Sequence, residues 1–234
     1  TTHSIEVNTV SSLTANASNN IYIDQTLGDL YLNDITGEII LIKNTSALPD
    51  ADIIINASQQ IIATGSGNSL VLTTTNGSFI NNSGATALFT SSGRWLVYTD
   101  NPTNTIEDSL TYNKLYNKTY AANAPATIAA GNYILYSIAP TLTVTADDKS
   151  REYGDSNPVL TYVISGYIDS DTIGTAVSGL ANITTTSAAT SFHFKFAGSR
   201  SAVKRILLPF TTNAPFSTFT SPLKRPCTES YFNM

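Results

Sequence analysis

The sequence has few charged residues: Lys and Arg number 12, Asp and Glu number 17, and together they make up 12% of 234 residues. Long solvated helices need Glu, Lys and Arg on their outer faces, so this shortage argues against an all-α protein. The single cysteine excludes an internal disulfide framework. A run of about 18 apolar residues is also lacking, and we therefore predict no transmembrane segment.

Short clusters of Ile, Leu, Val and aromatic residues recur through the first hundred residues, separated by turn formers such as Gly65-Ser66-Gly67 and Asn76-Gly77-Ser78. This rhythm predicts short strands and tight turns, which a sandwich, a barrel or a solenoid would all contain. The recurrence of Asn and Gly at the turns favours stacked coils. We therefore predict an all-β chain in which residues 1–100 form a right-handed parallel β-helix, or solenoid, with Thr, Ser and Asn outside and Trp95 as a buried anchor of the last coil.

The strand rhythm loosens over residues 101–140, which we interpret as a cap and linker. Tyr112, Tyr116 and Tyr120 follow one another at a spacing of four, which is compatible with a short helix. Their polar and β-prone neighbours are equally compatible with an extended connector. Both alternatives stay open from the sequence alone.

A new unit begins after Pro140 with the run LTVTADDKSREYGDSNPVLTYVISGYIDSDT. Its most distinctive residues are Tyr153-Gly154-Asp155 and Asn157-Pro158. Residues 141–191 resemble the opening of an MBG domain of the YGX type, a bacterial immunoglobulin-like repeat of large surface proteins. The segment is too short for a complete sandwich of roughly 100 residues, so we predict a partial immunoglobulin-like β-sandwich module. We interpret the motif residues as structural, with Gly154 allowing a positive φ and Tyr153 packing beneath the turn.

The segment from Gly65 to Thr99, which ends in Gly93-Arg94-Trp95-Leu96-Val97-Tyr98, resembles the end of the β-helix of filamentous haemagglutinin-like exoproteins of two-partner secretion. This resemblance implies a secreted or surface-exposed bacterial adhesin associated with the outer membrane. It also implies a partner, an outer-membrane barrel translocator. Because no Met precedes position 234, we expect the chain to be a piece of a longer protein.

Residues 192–234 differ abruptly from the rest of the chain. Residues 1–191 hold 6 basic and 16 acidic side chains, whereas residues 192–234 hold 6 basic side chains and one acid, Glu229. Seven of the nine phenylalanines and the only cysteine, Cys227, also lie in this last segment. We interpret it as an aberrant basic, Phe-rich tail, either a peripheral tail or the product of a frameshift. It contains no recognisable nucleic-acid-binding module, and we expect no nucleic-acid partner.

A search for catalytic chemistry finds little, and we expect neither an enzyme nor a cofactor. The only histidines, which a serine or cysteine nucleophile would need as a base, are His3 and His193. A β-helical carbohydrate-active enzyme, with paired carboxylates about 5 to 10 Å apart, is the enzymatic alternative. Glu107 and Asp108 are adjacent, so in a strand they would point to opposite faces.

Asp169 and Asp171 offer the carboxylate oxygens that Ca²⁺ prefers. The EF-hand pattern is incomplete after Asp171, however, and both residues fit a solvated turn. We expect no metal site, with calcium at these two residues as the alternative.

Taken together, the patterns and the two resemblances predict a fragment of an adhesin that acts by multivalent attachment to glycans or proteins of host cells or other surfaces. The alternative from another class is a structural spacer that binds nothing itself. Binding of the chain to cells or to a glycan array would distinguish the two.

Overall fold

The computed structural model describes residues 5–7, 12–152, 154–177, 179, 181–185 and 206–209. Strands account for 44% of them and helix for almost none, which confirms the all-β class. The chain divides into two compact units, the first ending at Pro140 and the second beginning at Thr141.

The first unit contains eleven described strands, joined in one curled parallel sheet. Ile, Val and Thr are frequent in them because branching at Cβ suits an extended backbone better than a helix. The strands are β1 (Ile5–Val7), β2 (Leu13–Asn16), β3 (Ile21–Gln25), β4 (Leu30–Gly37), β5 (Ile40–Asn44), β6 (Ile53–Ile55), β7 (Ile61–Thr74), β8 (Phe79–Asn81), β9 (Leu88–Thr99), β10 (Asn113–Tyr116) and β11 (Tyr133–Tyr136).

The parallel pairings fall into three rows. Row one contains, in spatial order, β1, β3, β5, the second half of β7, the second half of β9, β11 and β10. Row two contains the first half of β4 followed by β6 and β8. Row three contains β2, the end of β4 and the beginnings of β7 and β9. From β3 to the start of β9 the chain visits the three rows in the same order three times.

Side chains alternate between the two faces of each row, and the inward ones form one continuous core. The strand register places apolar side chains beside one another along row one. Ile23 pairs with Ile42, Ile42 pairs with Leu72, and Leu72 pairs with Val97. All four are buried. No single turn of the chain could bury these side chains alone, so the core depends on stacking between successive passes.

The segment expected to be a cap and linker, residues 101–140, contributes two strands to row one. The tyrosine spacing of four does not produce a helix, because Asn113–Tyr116 is the extended strand β10. Strand β11 lies between β9 and β10 although it follows β10 in the chain. Residues 117–132 therefore form a crossover connection between two adjacent parallel strands.

The second unit contains the strands β12 (Thr141–Ala146), β13 (Tyr162–Ser165) and β14 (Ile206–Pro209) and the short helix α1 (Ile173–Ala176). The strands form an antiparallel sheet in the order β13, β12, β14. Strand β14 comes from the segment predicted as an aberrant tail. The rest of that segment, including His193 and Cys227, lies outside the described residues, as do His3 and Tyr153.

Candidate functional site

Two acidic side chains of the first unit, Asp29 and Asp52, bind the backbone of the following turn. Asp29 Oδ1 accepts a hydrogen bond from the N–H of Asp52 at 3.0 Å, and Asp52 Oδ1 accepts one from the N–H of Ser78 at 2.6 Å. These three residues precede the three successive strands of row two. Burial raises the pKa of the Asp52 carboxyl above its usual value. The carboxylates thus join one turn to the next and stack the passes of the chain.

Glu107 and Asp108 lie in a turn, with Asp108 at a φ of 37° and Ser109 at a φ of 66°. Glu107 Oε1 accepts a hydrogen bond from the Tyr136 hydroxyl at 2.6 Å. Burial of the Tyr136 side chain is the largest cause that raises its pKa, and the hydrogen bond to Glu107 is the next largest. The Tyr136 ring stacks on the Tyr116 ring at a centroid distance of 5.4 Å. The Glu107 carboxylate therefore accepts a hydrogen bond from Tyr136, a tyrosine at the end of row one.

Trp95 is 3% exposed and belongs to the inner core. Its neighbour Arg94, which sequence reasoning passed over, contacts residues far away in the chain. The guanidinium donates to the carbonyl oxygens of Pro125 at 2.8 Å and Ile128 at 3.0 Å, and also to that of Ala129. One signal was available in the sequence, because Arg94 is the only arginine among the first 150 residues.

The loop that carries the YGD motif is closed by Asp147 and Thr161, whose backbones are joined by a hydrogen bond of 2.9 Å. Within it, Arg151 Nε donates to Asn157 Oδ1 at 2.7 Å and Arg151 Nη1 donates to the carbonyl of Asp155 at 3.2 Å. Gly154 has a φ of 93°. Pro158 is half-buried and Asp155 is exposed. These contacts organise the loop internally.

Asp169 and Asp171 lie in the turn that leads to α1, with Asp169 at a φ of 52°. The N–H of Asp171 donates to the carbonyl of Ile168 at 3.1 Å. Across the part of the chain that the structure describes, no three His, Cys, Asp or Glu residues come together as metal ligands would.

The outward face of rows two and three carries columns of apolar side chains. In row two, one column contains Tyr31, Ile54, Ile80 and Ile106. In row three, Ile62 pairs with Phe89. We call these six residues the outer columns. Ile106 is 48% and Phe89 is 49% exposed.

The polar outer face expected from the composition is therefore wrong for these columns. Their side chains alternate with buried ones along each strand, and the register stacks them about 4.8 Å apart. Exposed contiguous apolar side chains commonly mark interaction surfaces.

Part of the second unit is similar to a known protein family. Residues 142–201 match the family model of the MBG domain (YGX type). This confirms the resemblance of that segment and indicates a module of a bacterial surface protein. The match covers about a quarter of the chain and continues beyond Ser191, where the composition changes.

Neither the curated proteins nor the solved structures give a significant match. Among the described residues, helices of the length and apolar character needed to cross a bilayer do not occur.

Proposed function

We propose that the chain is a fragment of a large bacterial secreted or surface-exposed adhesin of the filamentous haemagglutinin-like type. The observation that carries the proposal is the MBG match, because it places a surface-protein module directly after a unit of stacked parallel strands. In this proposal the three rows are the sheets of a right-handed parallel β-helix, and each pass of the chain through them is one coil. The parent protein would leave the cell through an outer-membrane barrel translocator and stay extracellular or at the cell surface.

The outer columns are the contact surface in this mechanism. Their regular spacing offers a repeated apolar and aromatic surface on which glycans or proteins of a target cell can lie. A single contact of this kind is weak. Many copies on one bacterial surface raise the effective concentration, so that the weak contacts add up to stable attachment.

A direct test uses the full chain in multivalent form. Beads coated with the chain should bind cultured epithelial cells or features of a glycan array, whereas the soluble monomer at the same concentration should bind weakly. The double variant Ile106→Thr/Phe89→Thr should reduce bead binding about tenfold or more, because each contact is used many times.

Val159→Thr is the matched control, since it removes a branched apolar side chain that is 82% exposed in the second unit. It should leave bead binding unchanged. If wild-type beads bind neither cells nor glycans, the spacer explanation replaces the adhesin proposal. If Val159→Thr reduces binding and the double variant does not, the contact surface lies in the second unit.

A further inference from the structure

The crossover connection between β10 and β11 lies over the outward face of row one. Beneath this connection, the second halves of β7 and β9 and most of β11 are buried on both faces, unlike β3 and β5 of the same row and the strands of rows two and three. The outward side chains of these strands belong to a second, smaller apolar cluster. It contains Val71, Leu96, Tyr98 and Leu135, and Ile128 of the connection covers them. We call residues 117–131 the strap.

The strap buries few apolar side chains. Most of its residues are exposed, and Ile128 is its one buried side chain. The Tyr120 ring adds an edge-to-face contact with Tyr98, at 5.4 Å between centroids and 87° between planes. A segment with so few buried apolar contacts has a low local stability compared with the strands beneath it.

Two side chains of β9 make the polar attachment. Arg94 donates to the carbonyls of Pro125, Ile128 and Ala129, and more weakly to that of Gly131 at 3.5 Å. Tyr98 donates its hydroxyl to the carbonyl of Asn123 at 2.7 Å. Five carbonyl oxygens of the strap therefore accept hydrogen bonds from two side chains of β9, those of Arg94 and Tyr98. Arg94 itself is oriented by Asn68 Oδ1, which accepts from Nε at 2.7 Å.

At the start of the strap the N–H of Lys118 donates to the carbonyl of Tyr136 in β11 at 2.9 Å, and the backbone hydrogen bonds further along the strap are local. The N–H of Asn123 donates to the carbonyl of Thr119, and that of Thr127 donates to the carbonyl of Ala124. Both ends of the strap adopt left-handed backbone, with Asn117 at a φ of 55° and Gly131 at a φ of 117°. Hinges commonly lie at such positions between elements, where a few residues absorb the change in backbone angles.

We propose that the strap opens away from the outward face of row one while the rows stay paired, and that Arg94 is the residue that holds it closed. Opening uncovers the apolar side chains of Val71, Leu96 and Leu135. Arg94 acts as a positioning residue, because its planar guanidinium reaches several carbonyls at once, which a lysine ammonium cannot reproduce.

Hydrogen exchange of the full chain, followed by mass spectrometry, tests the proposal. In the wild type, the strap amides with local partners, such as those of Asn123 and Thr127, should exchange at least about tenfold faster than the amides of β9 and β11. Arg94→Lys should speed up strap exchange by a further tenfold or so and leave the strand amides unchanged. Arg151→Lys, whose arginine also donates to backbone carbonyls but in the second unit, is the matched control and should leave the strap rates unchanged.

Tyr98→Phe provides a milder second variant, because it keeps the ring and removes only the bond to Asn123. It should accelerate strap exchange about threefold to tenfold. If Arg94→Lys does not fold, the wild-type rates and Tyr98→Phe decide the matter. The proposal is overturned if strap and strand amides of the wild type exchange at the same rate, since opening would then require unfolding of the rows. It is equally overturned if either variant accelerates strap and strands together.

Discussion

The two units of the chain place their polar side chains in different environments. In the first unit, Asn44 is buried and donates to three carbonyls of neighbouring turns, those of Gly28 at 2.9 Å, Ala51 at 3.1 Å and Asp52 at 3.0 Å. In the second unit, Asn157 is exposed and accepts its bond from Arg151 at the surface.

The apolar side chains follow the same division. The described part of the second unit buries the apolar side chains of Leu142 and Ala176, whereas the first unit buries a continuous core. A buried amide that loses its partners leaves carbonyls without donors in a dry interior, while an exposed amide is replaced by water. Identical substitutions should therefore lower stability strongly in the first unit and only slightly in the second.

We expect the two units to differ most in how far the replacement of a glycine destabilises them. A Cβ at Gly77 would lie 2.1 Å from the carbonyl oxygen and 2.3 Å from the carbonyl carbon of Ala51, and both of these Ala51 atoms belong to the backbone. Gly77→Ala should therefore destabilise the first unit by about 3 kcal/mol. A Cβ at Gly154 meets no atom within 4 Å, so Gly154→Ala should cost only about 1 kcal/mol, from its positive φ.

Urea denaturation followed by fluorescence measures the first of these effects, because Trp95 is the only tryptophan and is buried in the first unit. Gly77→Ala should lower the midpoint of the Trp95 transition, and Gly154→Ala should leave it unchanged. Equal midpoints for Gly77→Ala and the wild type would mean that the turns of Ala51 and Gly77 are not stacked as described.

An intermediate difference is expected at the two asparagines. Asn44→Ala removes a donor from three carbonyls and should lower the free energy of unfolding of the first unit by about 2 to 3 kcal/mol. Asn157→Ala should change stability by less than about 0.5 kcal/mol, as surface substitutions usually do. Thermal unfolding monitored at Trp95 checks the first value, and limited proteolysis near Arg151 checks the second. A cost of Asn157→Ala that equals that of Asn44→Ala would remove the distinction between the two units.

Part of this fold could be predicted from the sequence because the signals are local. Runs such as Trp95-Leu96-Val97-Tyr98 and Tyr133-Ile134-Leu135-Tyr136 are apolar without alternation, as expected of parallel strands buried on both faces. The alternating Leu30-Tyr31-Leu32 instead predicts a strand with one exposed face, which is what the structure has. The MBG motif identified the second unit because its residues are distinctive as a string.

The remainder depends on pairing between distant parts of the chain. The position of β11 between β9 and β10 cannot be read from spacing, since chain order would place β10 next to β9. The role of Arg94 depends equally on a contact with residues more than 30 positions later. The outer columns were missed because composition describes an average face, whereas register decides which residues stack on it.

The smallest effect is expected from the buried tyrosines at high pH. Burial raises the pKa of Tyr98 to about 12 and raises that of Tyr136 as well. A raised folded-state pKa stabilises the native protein fully below pH 10, the unfolded value, and this contribution is lost as the pH rises towards the folded value. Each tyrosine should therefore cost up to about 1.4 kcal/mol per pH unit above pH 10.

The variant Tyr136→Phe separates the contribution of Tyr136 to stability at high pH from that of Tyr98. At pH 8 it should cost about 1 kcal/mol, because the hydroxyl bond to Glu107 is lost. Above pH 10 it should lose stability less steeply than the wild type, since the contribution of Tyr136 is removed and that of Tyr98 remains. Urea midpoints of the Trp95 transition at pH 8, 10, 10.5 and 11 measure both effects. Parallel pH profiles for the variant and the wild type would mean that the Tyr136 hydroxyl is accessible to water, and the end of row one would then be as open as the loop of the second unit.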